Sequence, residues 1–160
     1  MKKAFTFIEI LIYMGLVSVF LVVLANMFIT LLDTQLETTG SSAVDQDGQY
    51  ILARLNYDLH RAGNIITPGA AGDTTDTLSL NIGGDTYTYS VSGRKLQLSV
   101  SGVTYLLNSY AADTAVFSVT RLGFDAGTPS ARISLSVESQ DISGTGSAQI
   151  RSYLTTVSLR

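Results

Sequence analysis

The sequence predicts an α+β fold: a long N-terminal helix, one half membrane-spanning and the other amphipathic, packed against an antiparallel β-sheet domain. Three observations predict it. From Phe5 to Leu32 the chain is almost wholly apolar and carries one charge, Glu9. From Leu36 to Ala62 apolar residues recur at three- and four-residue steps. Beyond Thr77, apolar and hydroxyl side chains alternate in short runs broken by Gly-containing turns. With 160 residues there is room for one compact domain plus one long helix, not two full cores.

The first element opens on Met1-Lys2-Lys3, a basic start of the kind that stays on the cytoplasmic side of a membrane. The apolar run that follows is about 28 residues long and reaches roughly 42 Å as a helix, more than the ~30 Å of a hydrocarbon core. A secretory signal cut after Val23-Leu24-Ala25 has the right small residues, but Asn26-Met27-Phe28-Ile29 stays largely apolar where such a signal turns polar. A plain membrane anchor explains the length and the lysines. Neither reading explains Glu9. A carboxylate in an apolar helix costs about 2.5–3.5 kcal/mol near the membrane centre, and less near the helix start, where the N-terminal pole and snorkelling help. Glu9 therefore reads either as an acid tolerated at the interface or as one awaiting a cation. A cut between Ala4 and Phe5 would free that cation, the amine of Phe5, at the depth of Glu9 in a neighbouring chain shifted by one helical turn.

The residues Lys2-Lys3-Ala4-Phe5-Thr6-Phe7-Ile8-Glu9-Ile10-Leu11-Ile12 resemble the prepilin signature of type IV pilins and type II secretion pseudopilins. The resemblance covers about the first 32 residues. It implies that a membrane prepilin peptidase cuts between Ala4 and Phe5 and that Phe5 is then N-methylated. It also implies that Glu9 neutralises a neighbour's N-terminal amine during assembly. The family has Gly before the cut, where Ala4 stands here. No Pro interrupts the apolar run, so a straighter helix than that of many major pilins is expected.

The amphipathic continuation sets Leu36, Ala43, Val44, Ile51, Leu55, Leu59 and Ala62 on one stripe, with Asp45, Arg54, Asn56, Asp58 and Arg61 elsewhere, the pattern of a helix with one buried face. Gly40-Ser41-Ser42 is a candidate bend. Gly63-Asn64 ends the helix, Gly being favoured just past the last turn. Asp58 and Arg61 read as a solvated i,i+3 pair, and His60, the one histidine, as a surface residue. The run Leu52–Ala62 resembles the helix end of minor pilins and J-type minor pseudopilins, which points to a minor, J-like or W-like subunit.

A loop is expected from Thr67 to Thr77, led by Pro68-Gly69. Strands follow over Leu78–Ile82, Tyr87–Val91, Leu96–Val100 and Val103–Leu106, with turns at Gly83-Gly84, Ser92-Gly93 and Ser101-Gly102. Three more fit Val116–Thr120, Arg132–Val137 and Tyr153–Leu159. One sheet face must be covered, and the stripe from Val44 to Ala62 is the available cover. The chain thus divides into a leader over 1–4, a membrane-spanning and filament-core helix over 5–32, an amphipathic helix over 33–63 and a β domain over 64–160.

Chemistry is excluded class by class. There is no cysteine for nucleophilic catalysis and one histidine without an ordered partner. No Gly-rich phosphate loop and no His/Cys metal spacing occurs. Asp73, Asp76 and Asp85 lack the order of a calcium loop and read as turn residues. A net charge of −3 gives no basic footprint for nucleic acid. The expected protein is a non-enzymatic subunit without cofactor or metal, in a pilus- or pseudopilus-like filament. The resemblance implies as partners other pilin or pseudopilin subunits, the prepilin peptidase, an inner-membrane assembly platform and, before assembly, membrane lipid. It implies an N-terminus in the cytoplasm and a β domain outside. The alternative is a membrane-anchored β-domain binding module that does not polymerise.

Overall fold

A computed structural model describes residues 6–123, 129–140 and 148–159. The fold is α+β: helix α1 spans Phe7–Arg61 and packs against two antiparallel sheets. The strands are β1 Asn64–Thr67, β2 Thr74–Thr75, β3 Leu78–Ile82, β4 Asp85–Ser92, β5 Lys95–Val100, β6 Val103–Leu106, β7 Ala112–Leu122, β8 Ser130–Ser139 and β9 Ile150–Ser158. The chain divides into two units, one ending at Thr38 and one beginning at Thr39.

In the first unit α1 is unbroken, and Ser18, Thr30 and Thr34 turn their hydroxyls back onto the carbonyls four residues earlier. That local bond satisfies a hydroxyl where no other polar partner is at hand. Every large apolar side chain from Phe7 to Leu36 is between 44% and 78% exposed.

In the second unit the helix carries its buried stripe. Val44, Ile51, Leu55 and Leu59 are fully buried, as the three- and four-residue spacing predicts, while Leu36 is exposed. Gly40 produces no break, since the helix runs through it. Gly40 and Gly48 lie on the buried stripe instead. A Cβ on Gly48 would stand 2.3 Å from the Tyr153 ring of β9. Glycine here permits close approach of helix and strand. Gly48→Ala is expected to lower stability by about 1–2 kcal/mol, overpacking outweighing the ~1 kcal/mol gained in helix propensity. Combined with Tyr153→Ala, the same change should stabilise instead. Denaturant unfolding of the four full-length chains in detergent micelles is the measurement; equal effects in both backgrounds would refute the contact.

Two sheets, not one, meet the helix. The first runs β1-β3-β4-β5-β6 and the second β2-β7-β8-β9. In the first sheet, two-residue turns join β3 to β4, β4 to β5 and β5 to β6. Both central residues of each turn have positive φ, including the non-glycines Arg94 and Ser101. That is the primed turn whose twist suits a hairpin. Leu78, Leu80, Leu96 and Tyr89 of this sheet share one core with Val119, Ile133, Leu135 and Val137 of the second. The segment expected as loop from Thr67 to Thr77 contains β2, which pairs with Thr120 and Val119 of β7.

Polar groups fix the join between the sheets. Lys95 Nζ donates to the carbonyls of Ser109 and Ala112, at 2.7 and 2.6 Å, and sits 2.9 Å from Asp113. Asn108 Oδ1 accepts from Leu96 N and from the Thr114 hydroxyl. Ser109 N donates to Asp47 Oδ2 of α1 at 2.6 Å. Burial opposes the charge of Asp113, but hydrogen bonds from Lys95 and Gln140, with Arg94 nearby, hold its carboxyl below the usual carboxylate range. Asp73 and Asp85 take up turn and hairpin bonds, from Ala70 N and Ser101 Oγ.

Candidate functional site

Ala4 and Phe5, the expected cleavage pair, lie outside the described residues. Glu9 is placed in the first turn of α1, half-buried. Thr6 starts the helix, its carbonyl accepting from Glu9 N at 3.1 Å and from Ile10 N at 3.3 Å. Thr6-x-x-Glu9 has the spacing of a capping box, which gives the acid a favourable place against the N-terminal pole of the helix. Among the described residues its carboxylate has no hydrogen-bond or ion-pair partner.

The surroundings of Glu9 are what make it a candidate. Phe7, Ile8, Ile10, Leu11 and Ile12 are 48–78% exposed, and the helix is long and apolar enough to cross a membrane. No part of its most apolar window is buried. An apolar surface that size needs a cover, from lipid or from other helices. Chemically it offers one carboxylate at one defined depth.

No family model, no curated protein and no solved structure matches this chain. The reading of the segment therefore stands on its residues.

The structure corrects the sequence reading at the far end of α1. Asp58 is not on a solvated face with Arg61; it is fully buried. Its Oδ2 accepts from Arg54 Nε at 2.9 Å and from the Tyr89 hydroxyl. Arg61 turns to Tyr57, its guanidinium 5.0 Å from the ring centroid, an ordinary cation–π distance. Burial and the hydrogen-bonded Asp58 carboxylate push the Tyr89 hydroxyl well above the usual tyrosine range. Burial works against the Arg54 charge, and Asp58 more than offsets it. A buried acid, its arginine and its tyrosine thus lock α1 to β4. The Arg54–Asp58 spacing of four was the available signal.

Proposed function

We propose that this chain is a structural subunit of a type IV pilus or pseudopilus-like filament. It is held in the cytoplasmic membrane with its β domain outside, cut before Phe5 by a prepilin peptidase, and assembled through its N-terminal helix with other pilin or pseudopilin subunits on an inner-membrane platform. A minor, J-like or W-like position fits the resemblance of Leu52–Ala62. The observation that carries the reading is Glu9: one carboxylate, without a partner among the described residues, in an exposed apolar helix. A plain anchor explains the apolar length and leaves the acid unexplained. A filament gives it a function, because the amine of Phe5 in a neighbour one turn along is its natural counter-ion.

Processing is the direct test. Intact-mass spectrometry of the protein from its native host is expected to give a chain that begins at Phe5 and carries one methyl on its amine. A mature start after Ala25, or an uncut chain in assembled material, would remove the basis of the reading.

A further inference from the structure

β6 is the outer strand of the first sheet, and no strand among the described residues pairs with its free edge. The opposite edge is guarded: Arg121 Nη1 donates to the carbonyls of Ile65 in β1 and of Pro68 and Gly69 just beyond it, at 3.1, 3.3 and 2.8 Å. No such group caps β6 among the described residues, and its sequence, Val-Thr-Tyr-Leu, has neither the charge nor the proline that normally blunts an edge. All four side chains are exposed. Register identifies the free backbone groups. Val100 and Val103 flank a two-residue turn and so form a hydrogen-bonded pair, and bonding then alternates along the hairpin. Leu107 N donating to Leu96 O at 2.9 Å fits that phase. Thr104 and Leu106 are left with N–H and C=O pointing away from β5.

Beside this edge lies a cleft of about 570 Å³ whose lining includes Tyr50 and Arg54 of α1, Tyr87 of β4, Leu98 of β5, and Val103 and Tyr105 of β6. Arg54 is its one charged lining residue. The guanidinium is held in place from behind, through Nε, by the fully buried Asp58. Its side chain remains 36% exposed. A pre-positioned arginine suits a carboxylate, and the tyrosines suit apolar side chains.

From these features we infer that β6 and the cleft form a docking site for an extended segment of another protein, one that adds as a strand to β6. Its backbone bonds to Thr104 and Leu106. Its alternate side chains fall on the face of Val103 and Tyr105, so one apolar residue fills the cleft and one carboxylate meets Arg54. Strand addition of this kind takes affinity from the main chain and specificity from alternate side-chain pockets. A second copy pairing through its own β6 brings no carboxylate to Arg54, so the charge of the cleft favours a different partner. The site lies wholly within the unit that begins at Thr39 and does not depend on the filament reading.

The test uses the full-length chain in detergent micelles and a labelled, end-capped peptide, Ser-Val-Ser-Glu-Ser-Val-Ser, whose valines and glutamate share one face. Fluorescence anisotropy is expected to show saturable binding, about tenfold weaker for the glutamine counterpart. Thr104→Pro should weaken binding at least about tenfold with the unfolding curve unchanged, because it removes only an outward N–H and proline is tolerated on edge strands; Thr104→Val should bind as the unaltered chain does. No saturable binding, or equal binding by Thr104→Pro, overturns the inference. So does N-acetylglutamate binding as tightly as the peptide, which would make the cleft a small-anion pocket. Dimerisation of the protein abolished by Thr104→Pro would also overturn it, by making a second copy the occupant.

Discussion

Glu9→Ala is expected to leave expression, membrane insertion and cleavage before Phe5 intact while strongly reducing incorporation into filaments. Glu9 lies at the start of α1, in the unit that ends at Thr38, so the β domain should fold without it. If the chain is cut before Phe5 as proposed, the freed amine, with an ordinary α-amino pKa of about 7.7–8.0, is largely charged at neutral pH. Burying an amine and a carboxylate separately among apolar helices is costly, and pairing them removes most of that cost. Removing one partner of a buried pair costs ~3–5 kcal/mol, which at ~1.4 kcal/mol per tenfold is two or more decades per contact. Glu9→Lys should be worse, since it sets like charges together. The measurement is the ratio of sheared filament to membrane-retained subunit, with the proposed partner subunits present. Unchanged incorporation of Glu9→Ala would make the acid a passenger at the membrane interface and favour the anchored, non-polymerising module.

The helix and strands were legible because their periods are local. Val44, Ile51, Leu55 and Leu59 recur at helical spacing and are buried, and α1 stops two residues before Gly63. The hairpin turns at Gly83-Gly84 and Ser101-Gly102 fall where glycine meets period-2 alternation. What escaped depends on partners distant in sequence. Alternation says that one face of a strand is buried, not which sheet the strand joins; here Lys95, Asn108 and Arg121 help set that division. Nothing local in the sequence marks these three residues for that role.

Asp58 escaped for the same reason. A charge beside arginines on a helix reads as solvated, and nothing local announces a tyrosine hydroxyl from a strand 31 residues on. Glycine has poor helix propensity, so nothing local accounts for Gly48 inside a helix; the ring of Tyr153, distant in sequence, does. At the N-terminus the position is reversed. Glu9 stands out in the sequence because its neighbours are apolar, and the structure adds their exposure.

The second large effect concerns what the β domain needs from the helix. A chain shortened to begin at Thr34 is expected to be soluble, monomeric and cooperatively folded, and one beginning at Asn64 to aggregate or stay unfolded. The first cut removes the exposed apolar residues from Phe7 to Leu32 and none of the buried stripe. The second removes Val44, Ile51, Leu55 and Leu59, all fully buried. At ~1.5–3 kcal/mol for each large aliphatic side chain, their loss amounts to about 6–12 kcal/mol, as large as the ~5–15 kcal/mol that holds a typical domain together. Both sheets would also expose their inner faces, among them Leu80, Leu96, Ile133 and Leu135, and the buried Tyr89 would lose its Asp58 acceptor. The exposed edge at β6 would widen into a continuous apolar surface, which favours strand-to-strand aggregation. Circular dichroism, sedimentation and thermal unfolding of the two chains decide the matter. A chain from Asn64 that is monomeric and unfolds cooperatively would show that the sheets close a core on each other and that the helix only decorates it.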